Sequence, residues 1–171
     1  TQEFELVNGN YNGKYNSKDK FGKKIAEYQY VNGKINKNYK YYSPLGTLMF
    51  ERNYYCGLIT GTDTQYDLVG NLRITSEYSF GDDNGKTIRY YHNKSKMFEY
   101  NEFDGLTEGD YIYYNQKGEP ILKLEYEGNA VVSYSTLSKT GGFNEKIATP
   151  NESAEITSYY PNGKVAMKLN L

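Results

Sequence analysis

The chain has 171 residues, 20 Lys and Arg against 21 Asp and Glu, and a 37% hydrophobic fraction in which 21 Tyr stand beside 7 Phe and no Trp. Near-neutral charge with no block of one sign gives a polyanion nothing to hold, so nucleic acid is not expected as a partner. One cysteine, Cys56, and one histidine, His92, exclude an internal disulfide and the usual zinc ligand set.

At the N-terminus, Thr1-Gln2-Glu3-Phe4 has neither the charged nor the apolar region of a signal peptide, and no apolar run approaches the roughly 18 residues of a membrane span. The absent initiator methionine points to a mature or trimmed product, and so to an extracytoplasmic setting, secreted or in the envelope, ahead of the cytoplasm. From there the chain repeats. Anchor residues recur at Gly22, Gly46, Gly70, Ser95, Gly118, Gly141 and Gly163, in steps of 24, 24, 25, 23, 23 and 22. Four residues before the anchors stand Tyr42, Tyr66, Tyr91, Tyr114 and Tyr159, with Lys18 and Leu137 in the weaker copies. Eight residues after them come Tyr30, Tyr54, Tyr78, Phe103, Tyr126 and Leu171, with Thr149 the exception. A second turn series runs through Asn8-Gly9, Asn32-Gly33, Cys56-Gly57, Phe80-Gly81, Asp104-Gly105 and Glu127-Gly128.

Between turns the residues alternate with period two, as in Leu72/Ile74/Tyr78 and Leu122/Leu124/Tyr126, against Lys123 and Glu125 on the other side. Glycine at the anchors suits turn positions with φ > 0, and Asn-Gly pairs are strong hairpin signals. No stretch sustains a helical period. The expected fold is all-β: an elongated antiparallel β-hairpin repeat meander in a single twisted sheet, about seven hairpin units and fourteen strands, one repeat domain over residues 1–171. The least regular part, Thr140 to Ser153, reads as a degenerate repeat with a longer turn at Thr149–Ser153.

Tyr159-Tyr160-Pro161-Asn162-Gly163-Lys164-Val165, Tyr113-Tyr114-Asn115-Gln116-Lys117-Gly118 and Tyr41-Tyr42-Ser43-Pro44-Leu45-Gly46 resemble the bacterial variant of the MORN repeat. The resemblance covers nearly the whole chain. It implies tandem hairpins in a single sheet with protein–protein or membrane-proximal contacts, and brings no catalytic residues. Ser95 in an anchor place and the tyrosine-poor sixth unit depart from the pattern.

The residues point to no catalytic, cofactor or metal site. Gly81-Asp82-Asp83-Asn84-Gly85-Lys86-Thr87 approximates a phosphate loop but has one residue too few between its glycines, and Gly9 to Lys14 repeats its spelling at another turn. His92 and Cys56 lack triad partners, and turns of two to six residues leave little to enclose a substrate. The chain is therefore expected to be non-catalytic.

Tyrosine doublets on strands send one ring to each face. Tyr41, Tyr90 and Tyr113 are assigned to one candidate interaction face, with Tyr42, Tyr91 and Tyr114 beside them. The first functional expectation is a protein–protein interaction or scaffolding module, with homodimerisation through the alternating terminal strand Val165–Leu171 as one route. The alternative is a carbohydrate- or cell-wall-binding aromatic ladder, weakened by the missing tryptophan. Membrane contact has no support from a basic face.

Overall fold

A computed structural model describes residues 5–149 and 153–171; the N-terminal tetrapeptide read above and the middle of the turn expected at Thr149–Ser153 lie outside the described residues. The described residues hold strands and turns and no helix. The strands are β1 (Glu5–Val7), β2 (Asn10–Lys18), β3 (Lys24–Val31), β4 (Lys34–Tyr42), β5 (Leu48–Tyr55), β6 (Leu58–Ile59), β7 (Gly61–Tyr66) and β8 (Leu72–Ser79). They continue as β9 (Asp82–Tyr90), β10 (Lys96–Phe103), β11 (Leu106–Tyr114), β12 (Pro120–Glu127), β13 (Ala130–Thr136), β14 (Ile147–Ala148), β15 (Glu155–Tyr159) and β16 (Val165–Asn170). The strands β1 to β14 form one open antiparallel meander in chain order, with the short β6 pairing β5 beside the main path. The expected all-β hairpin-repeat sheet is what the chain forms. Its contacts cluster into two compact units, residues 1–83 and 84–171, where the sequence reading has one repeat domain.

Backbone conformation explains the period. At the second turn series both central residues have positive φ: Asn8 51° and Gly9 78°, Asn32 51° and Gly33 76°, Cys56 51° and Gly57 87°. That is the two-residue turn whose twist matches a right-handed hairpin. In the last member the positive pair is Gly128 and Asn129, at 58° and 72°, so the turn lies one residue later than the Glu127-Gly128 pair read from sequence. With that shift the second turn residues fall at 9, 33, 57, 81, 105 and 129, an unvarying step.

The anchor series needs a similar correction. Gly46 N–H donates to the Ser43 carbonyl at 2.8 Å, and Gly22, Gly70 and Gly118 make the same bond to Asp19, Asp67 and Asn115. In the fourth hairpin the donor is Lys94, to Tyr91 O at 2.9 Å, and Lys94 has φ 68°. Lys94 is the anchor and Ser95 the residue after it. Anchors then fall at 22, 46, 70, 94 and 118, with the same unvarying step as the other series, before the spacing shortens at Gly141 and Gly163.

Where the period fails, the chain leaves the meander. Strands β15 and β16 pair only with each other and form a separate two-stranded sheet, whereas the sequence reading continued one sheet to the end. This hairpin lies face-on against β12 and β13. Leu122, Leu124, Val131 and Ile156 form a buried cluster, with Tyr111, Tyr113, Tyr126, Met167, Leu169 and Leu171 packed around it. The alternating apolar residues of the terminal strand are thus used within the chain. A single sheet leaves both faces wet, and closing one with a second layer is the standard route to a dry core.

The anchor correction has an energetic consequence. A left-handed conformation costs a side-chain-bearing residue about 1–2 kcal/mol, against about 0.5–1 kcal/mol for the extra chain freedom of glycine. Lys94→Gly is expected to raise unfolding free energy by up to about 1 kcal/mol. Ser95→Gly is expected to lower it, since Ser95 Oγ also bonds Asn93 Oδ1 at 2.7 Å and Gln116 O at 3.0 Å. Urea denaturation of both variants measures the two signs.

Candidate functional site

In the first unit, β2 to β5 carry a row of rings on one face. Tyr15 and Tyr28 lie 4.7 Å apart, Tyr28 and Tyr39 stack at 5.0 Å, and Phe50 stacks on Tyr39 at 5.6 Å and on Tyr41 at 5.2 Å. The register produces this, because Tyr15 faces Tyr28 and Tyr41 faces Phe50 across their strand pairs. Aromatic cross-strand pairs contribute roughly 0.2–1 kcal/mol each, so the row holds the strands in place as well as coating the face. Burial pushes the Tyr28 and Tyr39 hydroxyls above their ordinary range, with the Tyr28–Tyr30 hydrogen bond adding to the first. All of these rings are half-buried.

The row ends in a polar patch. The Arg52 guanidinium lies 4.3 Å from the Phe50 ring centre and pairs with the buried Asp63 carboxylate at 3.0 Å, which also accepts the Gln65 amide at 2.9 Å. In the second unit Arg89 stands where Tyr41 and Tyr113 stand in their hairpins, with its guanidinium 6.0 Å from the Phe98 ring centre.

This register reassigns one predicted face. Tyr41 and Tyr113 lie in the ring rows of their respective units. Tyr90 does not: it pairs with Lys96 while its neighbour Arg89 pairs with Phe98, so it holds the place of Tyr42 and Tyr114, on the opposite side of its unit from Tyr113. Tyr91 takes the slot that Ser43, Asp67 and Asn115 fill at other anchor turns, and its hydroxyl donates to Tyr114 O at 2.9 Å. The grouping of Tyr41, Tyr90 and Tyr113 rested on Ser95 as anchor and fails with it. Tyr113 is further occupied against the buried cluster beneath β15 and β16.

On the opposite faces, Tyr42 and Tyr114 form matched polar groups. The Tyr42 hydroxyl donates a short hydrogen bond to Glu27, which pairs with Lys24 at 2.8 Å. The Tyr114 hydroxyl donates to Glu99 at 2.5 Å, and Glu99 pairs with Lys96 at 2.7 Å. The two sets lie three full periods of the repeat apart. Lys24 and Glu27 also line an open hollow of about 650 Å³ with Lys14, Asn16 and Lys40. The spelling Lys-x-x-Glu beginning two residues after Gly22 and Lys94 was the available sequence signal, hidden by the misplaced fourth anchor.

Cys56 is an exposed turn residue, His92 is exposed, and Asp82–Tyr90 is a strand rather than a loop opening a helix. Among the described residues no group of three or more His, Cys, Asp or Glu could hold a metal ion. A hollow of about 610 Å³ beside Asn115–Glu119 and Tyr160–Lys164 is lined by hairpin tips. Comparison with known proteins gives no matching family model and no matching curated sequence.

The Tyr42 group gives a pH signature. Hydrogen bonds from Lys24 and Tyr42 hold the Glu27 carboxyl below its ordinary value of 4.5. Burial and the Glu27 contact push Tyr42 up to about 12. A lowered carboxyl contributes stability that is present above pH 4.5 and lost as pH falls through the folded value. A raised phenol contributes stability that is present below pH 10 and lost as pH rises toward about 12. Tyr42→Phe is expected to cost about 1 kcal/mol at neutral pH and to flatten both limbs of the stability–pH curve, measured by denaturation from acid to alkali.

Proposed function

We propose that the chain is a non-catalytic protein–protein interaction module of MORN-like hairpin repeats, and that the ring row of the first unit is its binding face. One observation carries this reading. The rings of Tyr15, Tyr28, Tyr39 and Phe50 lie 4.7–5.6 Å apart, half-buried, with no second layer of strands paired over them among the described residues, while Tyr111 and Tyr113 of the second unit pack against the buried cluster that includes Ile156 of the last hairpin. Half-exposed aromatic surface with hydroxyl tips suits contact with protein, since it supplies area with little side-chain entropy to lose. The same stacking disfavours sugar binding, because a sugar ring needs an open aromatic face and here neighbouring rings occupy those faces.

A photoreactive phenylalanine in place of Tyr39 is expected to form defined protein adducts in an extract of the source cells. The same group replacing Asn38, which points the other way toward Glu51 at 2.9 Å, is expected to form none. Equal adducts at both positions, none at either, or competition by glycans would overturn the reading.

A further inference from the structure

We propose that the polar face of the first unit, on the side away from the ring row, binds a carboxylate-bearing polysaccharide of the uronic acid type. The site is the open hollow of about 650 Å³ on β2, β3 and β4, and it stands independently of the ring-row reading. The near-neutral total of the chain conceals a local excess, because residues 14–40 hold eight of the 20 Lys and Arg against Asp19 and Glu27. Strand pairing gathers these charges. Lys14 faces Gln29, Asn16 faces Glu27, and Glu27 faces Lys40, so their side chains share one face. Lys24 and Lys37 complete the cationic lining. Four ammoniums there meet one lining carboxylate, Glu27, which Lys24 takes at 2.8 Å. Lys40 reaches Glu51 at 3.5 Å. Lys14 and Lys37 have no anionic partner among the described residues.

The backbone at Lys37 points the same way. Lys37 has φ 65° and occupies the place that Gly13, Gly61, Gly85 and Gly109, all left-handed, hold in other hairpins. A left-handed backbone penalises any residue with a Cβ, so the lysine is kept against the local preference, and strain of this kind collects at binding sites. The second unit shows the same positions without that demand. A shift by three periods of the repeat puts Lys86 for Lys14, Ile88 for Asn16, Gly109 for Lys37, Asp110 for Asn38 and Ile112 for Lys40. There Lys86 and Lys96 both pair with Glu99, at 3.5 and 2.7 Å. The cationic excess and the Asn16 and Asn38 amides are lost.

The lining selects the ligand. Asn16, Gln29 and Asn38 carry amides that both donate and accept, which sugar hydroxyls need and a bare anion does not. The ammoniums are spread singly over three strands, about 10 Å from β2 to β4, and no arginine lines the hollow. Phosphate is instead gathered by converging donors, an arginine fork or a backbone nest. An open hollow suits a stretch of a longer chain better than an enclosed small molecule. A peptide gains little here, since β2, β3 and β4 are paired on both sides and offer it no strand edge. A sugar chain also yields no protein adducts at Asn38.

The test titrates the full chain with a galacturonic acid hexamer at low ionic strength, where exposed charges are least screened. The side-chain amide resonances of Asn16, Gln29 and Asn38 are expected to shift and saturate. Those of Asn101, the counterpart of Gln29 in the second unit, and the Tyr39 ring are expected to stay in place. Lys14→Gln with Lys37→Gly is expected to weaken binding about tenfold without lowering the urea midpoint, because glycine is unstrained at a left-handed position. Equal shifts with the methyl-esterified hexamer, which lacks the charges, overturn the proposal. So do equal shifts with a glutamate hexapeptide, which mark an acidic-peptide site, or with inorganic phosphate, which mark a site for any anion. No shift with the hexamer, or unchanged affinity in the double variant, overturns it as well. Each of these failures leaves the ring-row reading standing, since adducts at Tyr39 report on the opposite face.

Discussion

Paired positive φ angles at every second turn, repeated at an unvarying interval from Gly9 to Asn129, set the register on which the rest of the structure depends. Once two successive residues are left-handed, the hairpin twist and strand pairing are determined. Pairing then decides the face of each side chain, because one residue of slip reverses them all. The turns also support one another: Gly33 N–H donates to Tyr11 O, Gly57 to Ile35 O and Gly81 to Ile59 O, at 2.8–2.9 Å. Each turn thus orders the next, and the ring row is the side-chain counterpart of this backbone ladder.

The all-β hairpin meander, the two turn series and the split of tyrosine doublets between faces could all be read from residue type and spacing; the described residues form sixteen strands where about fourteen were expected. The exact register could not. Glycine served as the marker for positive φ, but Lys37, Lys94 and Asn129 adopt it without being glycine, at 65°, 68° and 72°. The fold tolerates these because the ladder on either side over-determines them. A one-residue error at Ser95 was enough to move Tyr90 to the wrong face. The fold-back of β15 and β16 was hidden for another reason. Val165–Leu171 alternates like any other strand of the repeat, and alternation does not say whether the apolar side meets a neighbouring strand's row or a second layer.

The two units solve the problem of a thin sheet differently. In the first, rings stack in a row and end on the Arg52–Asp63 pair, and the face stays half-exposed. In the second, Leu122 and Leu124 replace the ring and the arginine of the earlier copy, and the last hairpin closes over them. Leu122 and Leu124 are 0% and 1% exposed, among the driest side chains described in a protein that otherwise has little interior. The proposed binding role follows from this asymmetry. In the second unit the last hairpin packs on the aliphatic cluster; in the first the ring row and the Arg52–Asp63 pair hold the same positions of the repeat without such a hairpin among the described residues.

The most direct test of the account is the pattern of nuclear Overhauser contacts to the Phe98 ring. If positive φ at Lys94 sets the register, the Arg89 side chain gives strong contacts to Phe98 and the Tyr90 ring gives none, facing Lys96 on the other side of the strand pair. Contacts from Tyr90 to Phe98, with Arg89 turned away, would contradict the register, the face assignments and the binding surface built on them.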